Sequence, residues 1–302
     1  MKYLFIFNPK ARRYSRKAEA EIVEQAVKIL RPTAINVAYT VLHTNQSGEY
    51  IIDDFAQQSR DVDCVVAVGG DGTINLVVSA LMRSGVHMRV PLGVIPYGTG
   101  NNLVRSYGLE LDSEKALVTI QQGHVVPLDI GCINQQHYFI NASFGLFPYL
   151  IARRVTKSLI GWTYDFLRYV DFTPWVVRVR YVDAADRVIE LPAQRYIVGT
   201  LLNTSYYGSI LHMAPDAIGH DGLFDVKLFR EVPKLAYPLM FTVILTGKYT
   251  LTHQVMTFRA RRVEVLSEQP CPFETDGDVV PLQEHYAIEM AGALRLIVPA
   301  SR

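Results

Sequence analysis

The chain has no pair of cysteines close enough to form a CxxC motif: Cys64, Cys132 and Cys271 are far apart and odd in number. A disulfide framework is thereby excluded, and each thiol reads as a small buried apolar group in a reducing cytosol. No HExxH or paired Cys/His spacing is present, which argues against zinc. The G-x-S-x-G elbow of many hydrolases is also missing. Charge of one sign is not in excess. Thirty basic residues against 29 acidic ones leave a formal net charge of +1, so no global field points to nucleic acid. Long apolar runs are absent as well. The opening "MKYLFIFNPKARR" is too short for a signal-peptide core, and "LAYPLMFTVILTG" (235–247) falls short of the roughly 20 residues that span a bilayer. The expectation is a cytoplasmic protein able to touch a membrane peripherally.

What is present suits a globular chain with a real core: 302 residues, 49% hydrophobic and 20% charged, enough for one large or two ordinary domains. Up to about residue 127, short apolar runs alternate with helix-like segments. "YLFIFNP", "INVAYTVL", "DCVVAV" and "PLGVIP" read as strands; 17–30, 47–58 and 74–83 read as helices. That alternation indicates a parallel sheet with helices on both faces. Beyond Pro127 short β-rich runs follow one another, interrupted by helical segments near 150–170 and 233–249. The texture there is that of an antiparallel sandwich. The expected organisation is an α/β domain over 1–127 and a β-sandwich domain over 128–292, with a last strand at about 293–302 returning to the first domain.

Two glycine-rich turns carry the chemistry. In "VVAVGGDGTINLVVSALM" (65–82) a strand runs into Gly69, Gly70, Asp71, Gly72 and Thr73 and then into a helix. Backbone N–H groups at such a helix start favour an anion, glycines leave room for it, and Thr73 is a candidate cap. No lysine follows, so this is not the GxxxxGK[ST] phosphate loop. Asp71 beside a phosphate needs either a bridging divalent ion or hydrogen bonds that turn its carboxylate away. A simple glycine turn in which Asp71 bonds its own backbone is the bland alternative. The second turn, "GVIPYGTGNNLVRS" (93–106), again follows a strand and opens a helix. Gly98, Thr99, Gly100, Asn101 and Asn102 supply donors there. Adjacent strand ends of one parallel sheet are where such sheets bind ligands.

"GGDGT" followed by "PYGTGNN" resembles the diacylglycerol kinase catalytic-domain family, which includes sphingosine kinases and the soluble bacterial lipid kinases. The resemblance extends in order through "FNP", Thr44, "LDIG" (128–131), "FINASFG" (139–145), "APDAIGHDGLFDV" (214–226) and "TDGD" (275–278). It implies an NAD kinase/diacylglycerol kinase-like doubly wound domain followed by a β-sandwich. It further implies transfer of the γ-phosphoryl of ATP, with Mg²⁺, to the hydroxyl of a diacylglycerol-like or sphingoid lipid at the membrane surface. Carried over by position, Asn8, Thr44, Gly69, Gly70, Asp71, Gly72, Thr73, Ile74, Asn75, Gly98, Thr99, Gly100 and Asn101 would contact ATP. Asp71 and Asp129 would belong to the network around the phosphates and metal. Asp276 and Asp278 would be the acidic pair of the catalytic turn, with Asp278 as general base. Asp221, with the carbonyls of Ile218 and Leu223, would hold a structural Mg²⁺. From the residues alone, Asp276-Gly277 is also an ordinary hairpin dipeptide, and Asp221 an ordinary turn cap. A homodimer is compatible with the soluble members of the family, and nucleic acid is not an expected partner.

Three positions depart from the family pattern. Asp278 stands where Glu is usual, Asn102 where Asp is usual, and the loop "NPKARRYS" is strongly basic. The segment 144–170 mixes aromatic and apolar residues with Arg153, Arg154 and Lys157. It reads either as an interfacial helix or as an amphipathic helix covering the sandwich. The alternatives in function are a kinase of a soluble acceptor, as in NAD kinases, and a nucleotide- or lipid-binding regulator with weakened chemistry.

Overall fold

The structure is a computed structural model. It describes residues 1–9, 14–30, 36–41, 55, 57–98, 100–152, 173–208, 211–247, 249 and 252–300. Thr44, Thr99, the basic residues of loop 10–13 and most of the predicted helices over 47–58 and 150–170 lie outside them. The chain divides into two compact units: Met1–Ile130 with Gly292–Arg302, and Gly131–Ala291.

The first unit is built on a parallel sheet. Strands β1 (Lys2–Phe7), β2 (Asn36–Val41), β3 (Cys64–Gly69) and β4 (Leu92–Pro96) line up in the order β2-β1-β3-β4, every pairing parallel. The interiors of β1, β3 and β4 are buried on both faces, as in a parallel sheet with helices on both sides. Tyr3, Phe5 and Phe7 of β1 and Cys64, Val66 and Val68 of β3 join Ile22, Ala26 and Leu30 of helix α1 (Arg16–Leu30) in one core. The spacing 22, 26, 30 is one turn apart each time, which is the buried stripe of an amphipathic helix. Helix α2 (Asp71–Arg83) packs against β3 through a run of buried apolar residues from Ile74 to Met82. A short helix α3 (Asn102–Ser106) follows β4.

Helix α4 (Ser113–Gln122) completes this core with Ala116, Leu117 and Ile120. Its ends are well marked. Asp112 accepts from the Lys115 N–H at 3.1 Å, and Gly123 at φ +67° supplies the left-handed close. Strand β5 (Val125–Ile133) carries the chain out of the first unit.

The second unit is antiparallel. It contains β6 (His137–Phe139), β7 (Asn141–Gly145), helix α5 (Leu146–Ala152), β8 (Trp175–Asp183), β9 (Val188–Glu190), β10 (Gln194–Leu202) and β11 (Phe224–Arg230). Helix α6 (Tyr237–Thr246), β12 (Val255–Cys271), β13 (Phe273–Thr275), β14 (Asp278–Val279) and β15 (Gln283–Ile297) complete it. The strands run in the order β14-β13-β7-β10-β11-β12-β15, with β8 paired to β10 and β12.

Period-two alternation divides the side chains between two cores. Ala142, Phe144, Phe224, Val226, Leu228 and Phe273 enter one, with Val177 and Val179 of β8. Leu202 and Phe229 enter the other, covered by Leu146, Phe147 and Leu150 of α5 and by Met240, Val243 and Ile244 of α6. This is the sandwich expected from the sequence, and the described part of 144–170 buries Leu146, Phe147 and Leu150 against it. The end of β15 returns to the first unit, where Leu296 pairs in parallel with Leu92 of β4. No helix among the described residues is long and apolar enough to cross a membrane.

Candidate active site

In the first unit, the register of β3 and β4 sets the two glycine turns side by side. Gly69 is opposite Pro96, and the Tyr97 N–H donates to the Gly69 carbonyl at 2.8 Å. The turns then touch backbone to backbone. A Cβ on Gly98 would lie 2.3 Å from the Gly70 Cα, and one on Gly70 2.8 Å from the Gly98 Cα. Only two glycines permit this approach. Gly72 is different: a Cβ there would meet nothing within 4 Å.

Asp71 sits at the first residue of α2 but looks toward the second turn. Its Oδ1 accepts from the Asn102 N–H at 2.7 Å. Burial pushes its pKa up, opposed by the backbone N–H groups of Asn102, Asn101 and Leu103. A hydrogen bond of the kind that one of the two sequence readings named is therefore present at this carboxylate. The start of α3, which needs acceptors for its free N–H groups, takes its cap from a different helix.

Thr73 does not cap α2. Gly70 is the N-cap, with no side-chain bond, and Thr73 lies one turn in, 3% exposed, accepting from Asn8 Nδ2 at 3.2 Å. Asn8, at the end of β1, is thus tied to the first turn. The Ile74 side chain is core, so only its backbone is available to a ligand. Asn75 is buried and accepts from Ser79 Oγ at 3.5 Å.

Asn101 holds the left-handed conformation, φ +53°, that opens α3. Its Nδ2 donates to the Gly98 carbonyl at 3.2 Å, while its Oδ1 is buried and has no protein partner. Asp129, on β5, is buried, and its charge adds to the burial that raises the Tyr107 phenol. Asn8 with Tyr14, Val68 and Tyr97 lines a small depression next to these turns. The arrangement is a helix N-terminus with open space at Gly72 and a buried acceptor at Asn101. That donor set fits the phosphates and hydroxyls of a nucleotide.

In the second unit, Asp276 and Gly277 form the two-residue turn between β13 and β14. Their φ values of +50° and +98° bring Thr275 opposite Asp278. Asp276 anchors this turn. Its Oδ2 accepts from the Ile140 N–H at 2.8 Å and its Oδ1 from the Asn141 N–H at 2.9 Å. Its own N–H donates to the Asn141 carbonyl at 2.9 Å. Asp278, by contrast, is exposed.

Sequence reasoning missed two residues here. Asn141 of "FINASFG" binds the loop after β10: its Oδ1 accepts from the Asn203 and Thr204 N–H groups at 3.1 and 3.3 Å, and its Nδ2 donates to Thr204 Oγ1 at 2.6 Å. Glu274, beside the predicted acidic turn, is fully buried in a strand. Its Oε1 accepts from Ser143 Oγ at 2.8 Å and Tyr207 Oη at 2.6 Å, and its Oε2 from the Gly277 N–H at 2.7 Å. Parity puts Glu274 on the face opposite Phe273, and no pattern in "PFETD" marks that face as buried too.

The predicted structural metal site is otherwise engaged. Asp221 is ion-paired with Arg259, and its Oδ1 accepts from the Leu223 N–H at 3.1 Å. Ile218 is 44% exposed. This is the turn-capping arrangement. Among the described residues no three His, Cys, Asp or Glu side chains are grouped to hold a metal. A cation held by Asp221 and the carbonyls of Ile218 and Leu223 would take the place that Arg259 has at the Asp221 carboxylate.

The chain matches two family models. The diacylglycerol kinase catalytic domain covers residues 2–133, and the YegS C-terminal NAD kinase beta sandwich-like domain covers residues 153–298. It is 27% identical over 252 residues to a diacylglycerol kinase of Bacillus subtilis (strain 168), covering 80% of each chain. It is 26% identical over 296 residues to a Cronobacter sakazakii protein named "Probable lipid kinase YegS-like", covering 94% and 93%. Among solved structures, a diacylglycerol kinase from Bacillus anthracis str. Sterne matches in fold with a TM-score of 0.69 at 20% identity, over 99% of this chain and 97% of that one. The two matches, in this order along the chain, give a diacylglycerol kinase catalytic domain joined to a YegS-type sandwich-like domain, and the chain belongs to the diacylglycerol kinase-like family of lipid kinases.

Proposed function

We propose that this kinase uses ATP and transfers its γ-phosphoryl group to the hydroxyl of a diacylglycerol-like lipid. The observation that carries the reading is the pair of fused glycine turns in the first unit. They leave the α2 N-terminus, the space at Gly72 and the buried Asn101 Oδ1 without a protein occupant. A triphosphate supplies the negative charge that a helix N-terminus favours, and a ribose hydroxyl or metal-bound water supplies a donor for Asn101.

A divalent ion arriving with the triphosphate would neutralise charge developing on the phosphoryl oxygens. Of the acidic residues in the first unit, Asp129 is the one we assign toward it, since Asp71 is engaged with the Asn102 N–H. In the second unit, Asp278 is assigned to the acceptor. Its carboxylate takes the proton as the lipid oxygen attacks phosphorus and ADP leaves, so the products are a phosphorylated lipid and ADP. Asp276 holds the turn and does not move a proton.

The test is a transfer assay with labelled ATP and Mg²⁺. Mixed micelles of dioleoylglycerol, of ceramide or of sphingosine serve as acceptors, with NAD as the soluble control. Labelled dioleoylglycerol supports the proposal. Label in NAD alone, or nucleotide binding without turnover on any acceptor, overturns it.

A further inference from the structure

A buried glutamate in the strand that leads into the acidic turn has no part in the chemistry above. Glu274 shows no exposed surface, yet it spends both oxygens on three donors. Two of them, Ser143 of β7 and Tyr207 of the loop after β10, belong to elements packed against β13. The third is the N–H of Gly277, in the middle of the turn that presents Asp278.

Asp276 fixes the same turn from its other side, through the N–H groups of Ile140 and Asn141. Two carboxylates thus hold a two-residue turn to β7, and the residue immediately after the turn is left projecting from a rigid base. A hairpin this short keeps its geometry only if the left-handed residues Asp276 and Gly277 keep theirs. Asp278 also carries one methylene less than the usual glutamate, so its reach depends on where the backbone stands.

The geometry assigns Glu274 as the positioning residue for Asp278: it sets the turn through the Gly277 N–H, braced by Ser143 and Tyr207. This inference rests on the reading of Asp278 as the base. Burial raises the Glu274 pKa to about 7, with the bonds from Tyr207, Gly277 and Ser143 opposing and the charge of Asp278 adding. Tyr207 is raised in turn, by burial first and then by Glu274, with Asp276 adding. These are the titratable groups that bear on the site, so its charge changes near neutral pH.

The conservative and the truncating variants separate placement from bulk stability. In Glu274→Gln the amide oxygen still accepts from Gly277, and the amide nitrogen can donate to the hydroxyls, which accept as well as donate. Glu274→Ala removes all three bonds. With dioleoylglycerol micelles, Glu274→Ala is expected to lower kcat at least about 30-fold with little change in KM for ATP. Glu274→Gln should restore kcat to within about 3-fold of wild type and abolish any inflection of kcat near pH 7. Hydrogen exchange of the peptide over 273–280 should rise in Glu274→Ala, but not in Glu274→Gln.

Full turnover by Glu274→Ala, or equal losses in the two variants, overturns the assignment. Where Glu274→Ala fails to fold, Tyr207→Phe gives the same reading. It removes a bond that lowers the Glu274 pKa, and is expected to move the inflection to higher pH. No movement overturns the assignment. Asp278→Asn run in parallel isolates the underlying reading. If it keeps wild-type turnover, Asp278 is not the base. If it is inactive while Glu274→Ala is fully active, Glu274 alone is misassigned.

Discussion

The Asp71 carboxylate accepts a 2.7 Å hydrogen bond from the backbone N–H of Asn102, thirty-one residues later in the chain. An acidic residue in a glycine-rich turn is thereby put to use inside the protein. It supplies the cap that α3 lacks and fastens the second glycine turn to the first.

Replacing Asp71 tests this directly. Asp71→Ala leaves the half-buried Asn102 N–H without the acceptor that Asp71 provides, a loss of about 1–3 kcal/mol. It should also free the second turn, weakening nucleotide binding about tenfold. Asp71→Asn keeps an accepting oxygen. Burial holds the pKa of the folded carboxyl above its ordinary value, so the charged form costs stability as pH rises through the acid range. Asparagine escapes that cost, and Asp71→Asn should be at least as stable as wild type at pH 7. Urea denaturation and nucleotide titration of both variants check this. Loss of Mg²⁺ dependence in a fully stable Asp71→Asn would instead mark Asp71 as a metal ligand.

The glycines of the two turns should separate into structural and ligand-facing positions. Gly98→Ala forces a Cβ into the Gly70 backbone and should destabilise by several kcal/mol or prevent folding. Gly72→Ala meets open space in the first turn of α2, so its stability should be unchanged or up to about 1 kcal/mol higher. A concurrent loss of ATP affinity in Gly72→Ala would mean that the ligand's backbone approach needs that space. Thermal melts with and without ATP give both quantities.

The two aspartates of the acidic hairpin should differ in kind. Asp276→Ala removes acceptors from two backbone N–H groups and should cost about 2–4 kcal/mol. Asp278→Ala changes an exposed side chain and should melt within a degree or two of wild type. Activity should fall in both, but only Asp276→Ala should lose its Tm.

Stability should also depend on Glu274 through pH. Its carboxyl titrates at about 7 when folded, against an ordinary 4.5. Below 4.5 both folded and unfolded chains hold the proton, and the contribution is fully present. Between 4.5 and 7 the unfolded chain releases its proton while the folded one keeps it, so stability falls as pH rises through that window. Wild type should lose about 3 kcal/mol relative to Glu274→Gln from pH 4.5 to 8. Denaturant midpoints of the two proteins at matched pH measure it, and parallel curves would refute it.

Much of the fold was legible along the chain because it rests on local patterning. Apolar runs ending in "GGDGT" and "YGTGNN" announced strands followed by helix starts, and the short alternating runs after Pro127 announced a sandwich. The helix over 113–122 went unread although Asp112 and Gly123 bracket it with ordinary cap chemistry. The order of motifs fixed the family, since spacing and residue type survive at 27% identity.

What each carboxylate does was not legible in that way. Asp71, Asp276, Asp221 and Glu274 are alike as sequence letters. Their roles follow from which backbone N–H or side chain the folded chain brings to them: Asn102, Ile140 and Asn141, Arg259, and Gly277 with two hydroxyls. Apolar periodicity determines where strands and helices form because burial acts residue by residue. Hydrogen-bond partners come from distant segments, and only the tertiary packing that brings those segments together decides them.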